Sequence, residues 1–216
     1  MSEKYSGKTG IIGGTFDPIH IGHLFLAEGA YEAAGLSVVL FMPSPSPYHR
    51  TDKAVSSLSH RVNMVKLAIA DNPHFAFSDF EFTHSFGGNT ADMLEAFRAE
   101  NPSAEPYFIM GGDSLFSIES WRDPERVFAN AVILASPREG EQDGESGSCG
   151  PRTQGSFFSQ AEHLKEKYGA RIVNLNTPAI GVSSSGIIKN IREGKTIKYH
   201  TVPGVVEYIY KNSLYI

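Results

Sequence analysis

A chain of 216 residues with 41% hydrophobic and 20% charged residues is long enough for one sizeable core and has the balance of a globular protein. A formal charge of -5 argues against a dedicated nucleic-acid binder, while leaving room for a local basic pocket that takes a small anion. The lone cysteine, Cys149, excludes an internal disulfide; no stretch approaches the ~20 apolar residues of a membrane helix, and the polar start "MSEKYSGKTG" has no signal-peptide character, so the expectation is a cytoplasmic protein.

In chain order, "KTGIIGG" (8–14) is a short apolar run ending in glycines, the pattern of a buried strand. "HLFLAEGAYEAAG" (23–35) has Leu24, Ala27, Tyr31 and Ala34 at helical spacing, with Gly35 as a stop. "SVVLFMP" (37–43) is a second buried strand, halted by prolines. "SHRVNMVKLAIAD" (59–71) predicts a helix with Val62, Val65 and Ile69 on one face. "FAFSDFEF" (75–82) alternates phenylalanines as a half-buried strand does, with one slip of register near Asp79. "TADMLEAFRAE" (90–100) predicts a helix capped by Thr90. "PYFIMGG" (106–112) and "AVILASP" (131–137) predict strands, "SQAEHLKEKYG" (159–169) a helix and "ARIVNL" (170–175) the last strand. "SSSGIIKNIREG" (183–194) and "VPGVVEYIYKN" (202–212) predict two closing helices.

This alternation predicts a doubly wound, Rossmann-like α/β fold, a mostly parallel sheet with helices on both faces. Ligands then bind at the carboxyl ends of strands, where Gly13, Gly14, Gly111 and Gly112 all fall. The expectation is a single domain over 1–216, with a C-terminal helical part at 184–216. The polar, glycine-rich stretch 138–156 reads as a flexible surface loop.

The densest chemistry lies in "GGTFDPIHIGH" (13–23). Two histidines three apart suggest a metal, but zinc needs three or four ligands and no third lies nearby. A plain strand-to-helix turn explains each residue singly and the set poorly. A phosphate cradle explains the set: glycines allow close backbone approach, a helix start offers positive potential, and His20 and His23 donate to phosphate oxygens. The segment is neither a P-loop nor a dinucleotide fingerprint.

"GTFDPIHIGH" resembles the HxGH signature of the nucleotidylyltransferase superfamily, and most resembles the bacterial nicotinate-nucleotide adenylyltransferases. Further motifs match that family in order. "MPSPSPYHR" is similar to its proline-rich segment, with His49 matched and Arg50 in place of Lys. "NTADML" matches at Thr90 and Asp92, with Asn89 replacing an aromatic. "IMGGDSLFSIESW" brings Gly111, Asp113 and Trp121. "SPREG" brings Arg138, and "GVSSSG" aligns Ser183, Ser184 and Ser185 with a Ser-Ser-Thr. The closing Leu214-Tyr215 belongs to the same C-terminal signature. Where the family has a triphosphate-binding Arg, ungapped counting gives Ile188; a one-residue shift gives Lys189.

The resemblance implies transfer of the adenylyl group of ATP to nicotinate mononucleotide, with pyrophosphate released. It implies His20 and His23 as catalytic residues. It places ATP on Gly13, Gly14, Thr15, Phe16, His20, His23, Gly111, Asp113, Ser183–Ser185 and Lys189. It places the mononucleotide on Asp17, His49, Arg50, Thr90, Trp121 and Arg138, with Trp121 stacked on the pyridine ring. Mg2+ would arrive with ATP, held by phosphates and water rather than by a protein cage. The expected partners are these two small molecules, with no nucleic acid and no membrane; a homo-oligomer is left open. The alternatives are an adenylyltransferase for nicotinamide mononucleotide or pantetheine phosphate, and a nucleotide-binding module without turnover.

Overall fold

The computed structural model describes residues 4–45, 55–84, 86–137, 157–178 and 180–216. The elements run β1 (Gly7–Gly14), α1 (Ile21–Ala34), β2 (Val38–Pro43), α2 (Leu58–Ala68), β3 (Phe75–Phe77), α3 (Phe80–Thr83), α4 (Thr90–Glu100), β4 (Ala104–Gly111) and α5 (Gly112–Ser117). A 3-10 turn (Ile118–Ser120), α6 (Pro124–Asn130), β5 (Val132–Ser136), α7 (Phe157–Tyr168), β6 (Ile172–Asn174), α8 (Ser184–Arg192) and α9 (Pro203–Lys211) follow.

The strands form one six-stranded sheet in the order β3-β2-β1-β4-β5-β6, and every adjacent pair is parallel. The chain lays down β1, β2 and β3 outward, then returns to place β4 on the other side of β1. The switch point therefore lies between the carboxyl ends of β1 and β4, the place where such sheets bind ligands.

The central strands β1, β2, β4 and β5 are largely apolar runs because both faces are covered, while the edge strands β3 and β6 are half-buried. One transverse row, Leu40-Ile11-Phe108-Ile133, belongs to the core packed by α4, α6 and α7. The next row, Phe41-Ile12-Ile109-Leu134, belongs to the opposite core. That second core also holds Ala27 and Ala30 of α1, Met64 and Val65 of α2, Ile187 and Ile191 of α8, and Val205 and Ile209 of α9. Residues 184–216 thus share a core with β1 rather than standing off from it.

Three local expectations are corrected. The strand expected over 75–82 ends at Phe77, where Ser78 N makes its last bond to Phe41 O. The slip of register at Asp79 is the start of α3, whose first turn closes with Phe82 N and Thr83 N both donating to Asp79 O. Thr90 is not the cap of α4: Asn89 is, its side chain accepting from Ala91 N at 3.0 Å while its amide donates to Asp92. The short helix that the family resemblance implies after Gly111 is present as α5, whereas α6 was not foreseen, because an element this short carries too little periodicity to register. No helix among the described residues is long and apolar enough to cross a membrane.

Candidate active site

The turn from β1 into α1 sits at the switch point. Gly14 pairs with Pro43 at the end of β1, and a Cβ on it would press on the Phe16 ring at 3.3 Å. Phe16 takes a left-handed backbone, φ 49°, which sends its ring inside, edge-on to His23 at 5.1 Å. At 2% exposure that ring supports His23 and has no surface to offer a nucleotide. His20 is the N-cap of α1 and His23 lies in its first turn, with ring centroids 3.7 Å apart. His20 N donates to His23 Nδ1 at 3.2 Å, so the neutral His23 carries its proton on Nε2. Gly22 leaves the His20 ring room, since a Cβ there would press on it at 3.0 Å from Nδ1.

Burial lowers His20 from an ordinary 6.5 to about 4, and burial with the neighbouring His20 holds His23 well below 6.5. Both imidazoles are therefore neutral donors at pH 7. His20 Nδ1 is buried without a hydrogen-bond partner among the described residues, a cost that functional sites carry more often than cores do. The first turn of α1 has no acidic residue to compete with an anion for its N–H groups.

Beside this turn, α8 opens with Ser183 as cap, its hydroxyl accepting from Gly186 N at 3.1 Å. A groove of about 220 Å³ runs along it, lined by Ser183, Gly186, Lys189, Lys195 and His200. Lys189 lines it and Ile188 does not: positions 183, 186 and 189 recur at three-residue spacing along the groove side of α8, while Ile187 and Ile191 face the core. Lys189 Nζ lies 3.9 Å from Glu193. Ser184 faces the other way and donates to Pro18 O at 2.9 Å; Ser185 is exposed.

Across the switch point, Gly111 ends β4 and Asp113 stands exposed in the first turn of α5. Trp121 is half-buried, edge-on to Phe108 at 6.2 Å. The turn that carries it is tied to α7 through Glu119, which accepts from Lys167 at 2.8 Å and from Tyr168 at 3.2 Å. Those bonds, Lys167 first, hold the Glu119 carboxyl down to about 2. Thr90 opens α4, half-buried. Arg126 holds Asp92, Glu95 and Asp123 together beside it. His49, Arg50, Arg138 and Cys149, with the loop 138–156, lie outside the described residues.

Asp17, expected at the substrate, is instead sealed at 1% exposure, with Tyr215 OH on Oδ1 at 2.5 Å and Ser56 N on Oδ2 at 3.2 Å. Around it stand residues that sequence reasoning missed. Arg61, 1% exposed, donates to Thr15 O at 2.9 Å, Ser44 O at 2.7 Å, Ser56 O at 3.2 Å and Pro45 O at 3.3 Å. Burial lowers its guanidinium pKa, and Asp17, Tyr215 and Glu81 offset that. Thr201 donates to Ile19 O at 2.9 Å, and Ile21 N donates to His200 O at 3.0 Å. The signal for Arg61 was present: it falls on the buried stripe of α2 with Met64, Val65 and Ala68, where a lone charge demands partners.

Residues 11–190 match the cytidylyltransferase-like family model. The chain is 40% identical over 209 residues to the "Probable nicotinate-nucleotide adenylyltransferase" of Lachnoclostridium phytofermentans, covering 97% of this chain and 99% of that one. It is 36% identical to the protein of the same name from Carboxydothermus hydrogenoformans, covering 96% and 98%. In three dimensions it resembles Plasmodium falciparum nicotinic acid mononucleotide adenylyltransferase complexed with NaAD, with a TM-score of 0.74 at 22% identity over 97% of each chain. The chain belongs to the cytidylyltransferase-like family, in its nicotinate-nucleotide adenylyltransferase branch.

Proposed function

We propose that this chain transfers the adenylyl group of ATP to nicotinate mononucleotide, giving nicotinate adenine dinucleotide and pyrophosphate. The carrying observation is the pair of neutral imidazoles, ring centroids 3.7 Å apart, at the start of α1, on the glycine turn where β1 and β4 part. Full-length relatives that bear the name of this activity support it.

An oxygen of the mononucleotide 5′-phosphate attacks the α-phosphorus of ATP in line. The bond from that phosphorus to the bridging oxygen breaks, and pyrophosphate leaves with the electron pair. The nucleophile is already an anion, so no base is needed, and the protein contributes position and charge stabilisation. His23, its Nδ1 engaged, donates from Nε2 to the α and β phosphates. His20 stands beside it as second donor. Gly13, Gly14 and Thr15 bring backbone close to the phosphates, and Ser183, Ser185 and Lys189 grip the far end in the α8 groove. Asp113 accepts from the adenosine ribose, and Gly111 leaves it room. Trp121 stacks on the pyridine, with Thr90, His49, Arg50 and Arg138 at the mononucleotide. Phe16, Asp17 and Ser184 support the turn from inside.

Among the described residues no group of three or more His, Cys, Asp or Glu could hold a metal. Mg2+ would arrive with ATP on the triphosphate, where it would neutralise phosphate charge. The core shared by β1, α8 and α9 supports reading 1–216 as one nucleotidylyltransferase domain. The reaction's soluble substrates suit a cytoplasmic enzyme.

The test is pyrophosphate release from ATP with nicotinate mononucleotide, nicotinamide mononucleotide and phosphopantetheine assayed in parallel. Preferred turnover of the first is expected; preference for either of the others overturns the substrate, and ATP binding without release overturns the reaction.

A further inference from the structure

The closing Leu214-Tyr215 pair has no part in the reaction, yet its hydroxyl ends inside the turn that builds the site. Ser213 and Tyr215 adopt left-handed backbones, φ 50° and 68°, and Leu214 N donates to Ile209 O at 3.0 Å. The chain thus folds back along α9 and sends the phenol inward. There it donates to Asp17 at 2.5 Å, the opposite carboxylate oxygen being held by Ser56 N. Burial, reinforced by the bond to Asp17, pushes the phenol pKa up, so Tyr215 stays a donor. Asp17 itself is three residues from His20, and the two carbonyls between them are also held, Pro18 O by Ser184 and Ile19 O by Thr201.

Resting on the adenylyl-transfer reading, we infer that Tyr215 is a positioning residue: by gripping Asp17 it sets the path of the turn that delivers His20 and His23 to the reacting phosphates. An O–H on a buried carboxylate is short and directional, so it fixes where Asp17 lies as well as whether it is satisfied. A turn displaced by a fraction of an ångström still binds both substrates through its other contacts, but presents its imidazoles off-line. Rate should fall while substrate affinity holds.

The experiment compares Tyr215→Phe with Tyr208→Phe, assayed well below their unfolding midpoints. Tyr208 is the control because its hydroxyl is also engaged, by His60 at 3.0 Å and Asn63 at 2.9 Å, both on α2 and neither in the turn. Tyr215→Phe is expected to lower kcat roughly tenfold with each KM within about twofold, and to be non-additive with Asp17→Asn. Tyr208→Phe should leave kcat unchanged. Imidazole 15N spectra of the free protein should show the His20 and His23 signals displaced by Tyr215→Phe alone. Wild-type kcat in Tyr215→Phe, additivity with Asp17→Asn, or equal effects from the two variants would overturn the assignment. If the wild-type protein released no pyrophosphate with nicotinate mononucleotide, the substrate reading would fall. The spectra would still decide the coupling, and unmoved histidine signals would overturn it.

Discussion

The two rims of the switch point are built by opposite means. The turn after β1 is held at nearly every step by distant side chains: Thr15 by Arg61, Asp17 by Tyr215, Pro18 by Ser184, Ile19 by Thr201. The corner after β4 is held mostly by neighbours in sequence, Trp121 N bonding to Ile118 O, with Glu119 as its tie to α7. Its site residues, Gly111 and Asp113, are exposed, whereas Asp17 and His20 are buried. The first rim is preorganised at the expense of buried polar groups, as the charge stabilisation proposed for it requires. The second rim is open, as its proposed role of admitting and releasing substrate requires.

Breaking the first rim should cost most. Arg61→Ala strands the carbonyls of Thr15, Ser44, Pro45 and Ser56 and leaves Asp17 uncompensated; urea unfolding should show a loss of about 4 kcal/mol. Acid should loosen the same rim. His20 takes its proton near 6.5 in the unfolded chain but near pH 4 in the fold, so the unfolded state binds more protons in between and stability rises with pH across that window. Lowering pH from 6.5 through 4 should therefore remove on the order of 3 kcal/mol for His20 alone. His23 shifts in the same direction. Unfolding free energy against pH checks this, and His20→Gln should flatten the slope. His23→Ala should cut kcat by ~100-fold or more, through loss of a donor to the developing charge; near-wild-type turnover would remove it from that role. On the open rim, Trp121→Ala should raise the KM for nicotinate mononucleotide roughly tenfold while leaving that for ATP unchanged. An equal rise for both would mean that the two rims are not separate.

The central strands β1, β2, β4 and β5 were legible because they are largely buried on both faces, which writes a nearly unbroken apolar run into the sequence. The HxGH turn was legible because its chemistry is compressed into neighbouring residues. The strand mistaken over 75–82 shows the limit: Phe80 and Phe82 continue the alternation in letters while the backbone has already begun a helix. Asn89 was read as a departure from an aromatic when it serves as the cap of α4. Arg61 carried a local sign of burial on the α2 stripe, but neither it nor Tyr215 was legible as part of the site, since that role lies in partners 46 and 198 residues away.

The reach of these bonds also orders events in time. Ser184, Thr201 and Tyr215 close on the turn across 166, 182 and 198 residues. A nascent chain that has emerged only as far as β6 already possesses the entire sheet and both histidines, yet none of these three donors. The histidine turn is thus completed by side chains from residues 184–215 rather than by the motif alone.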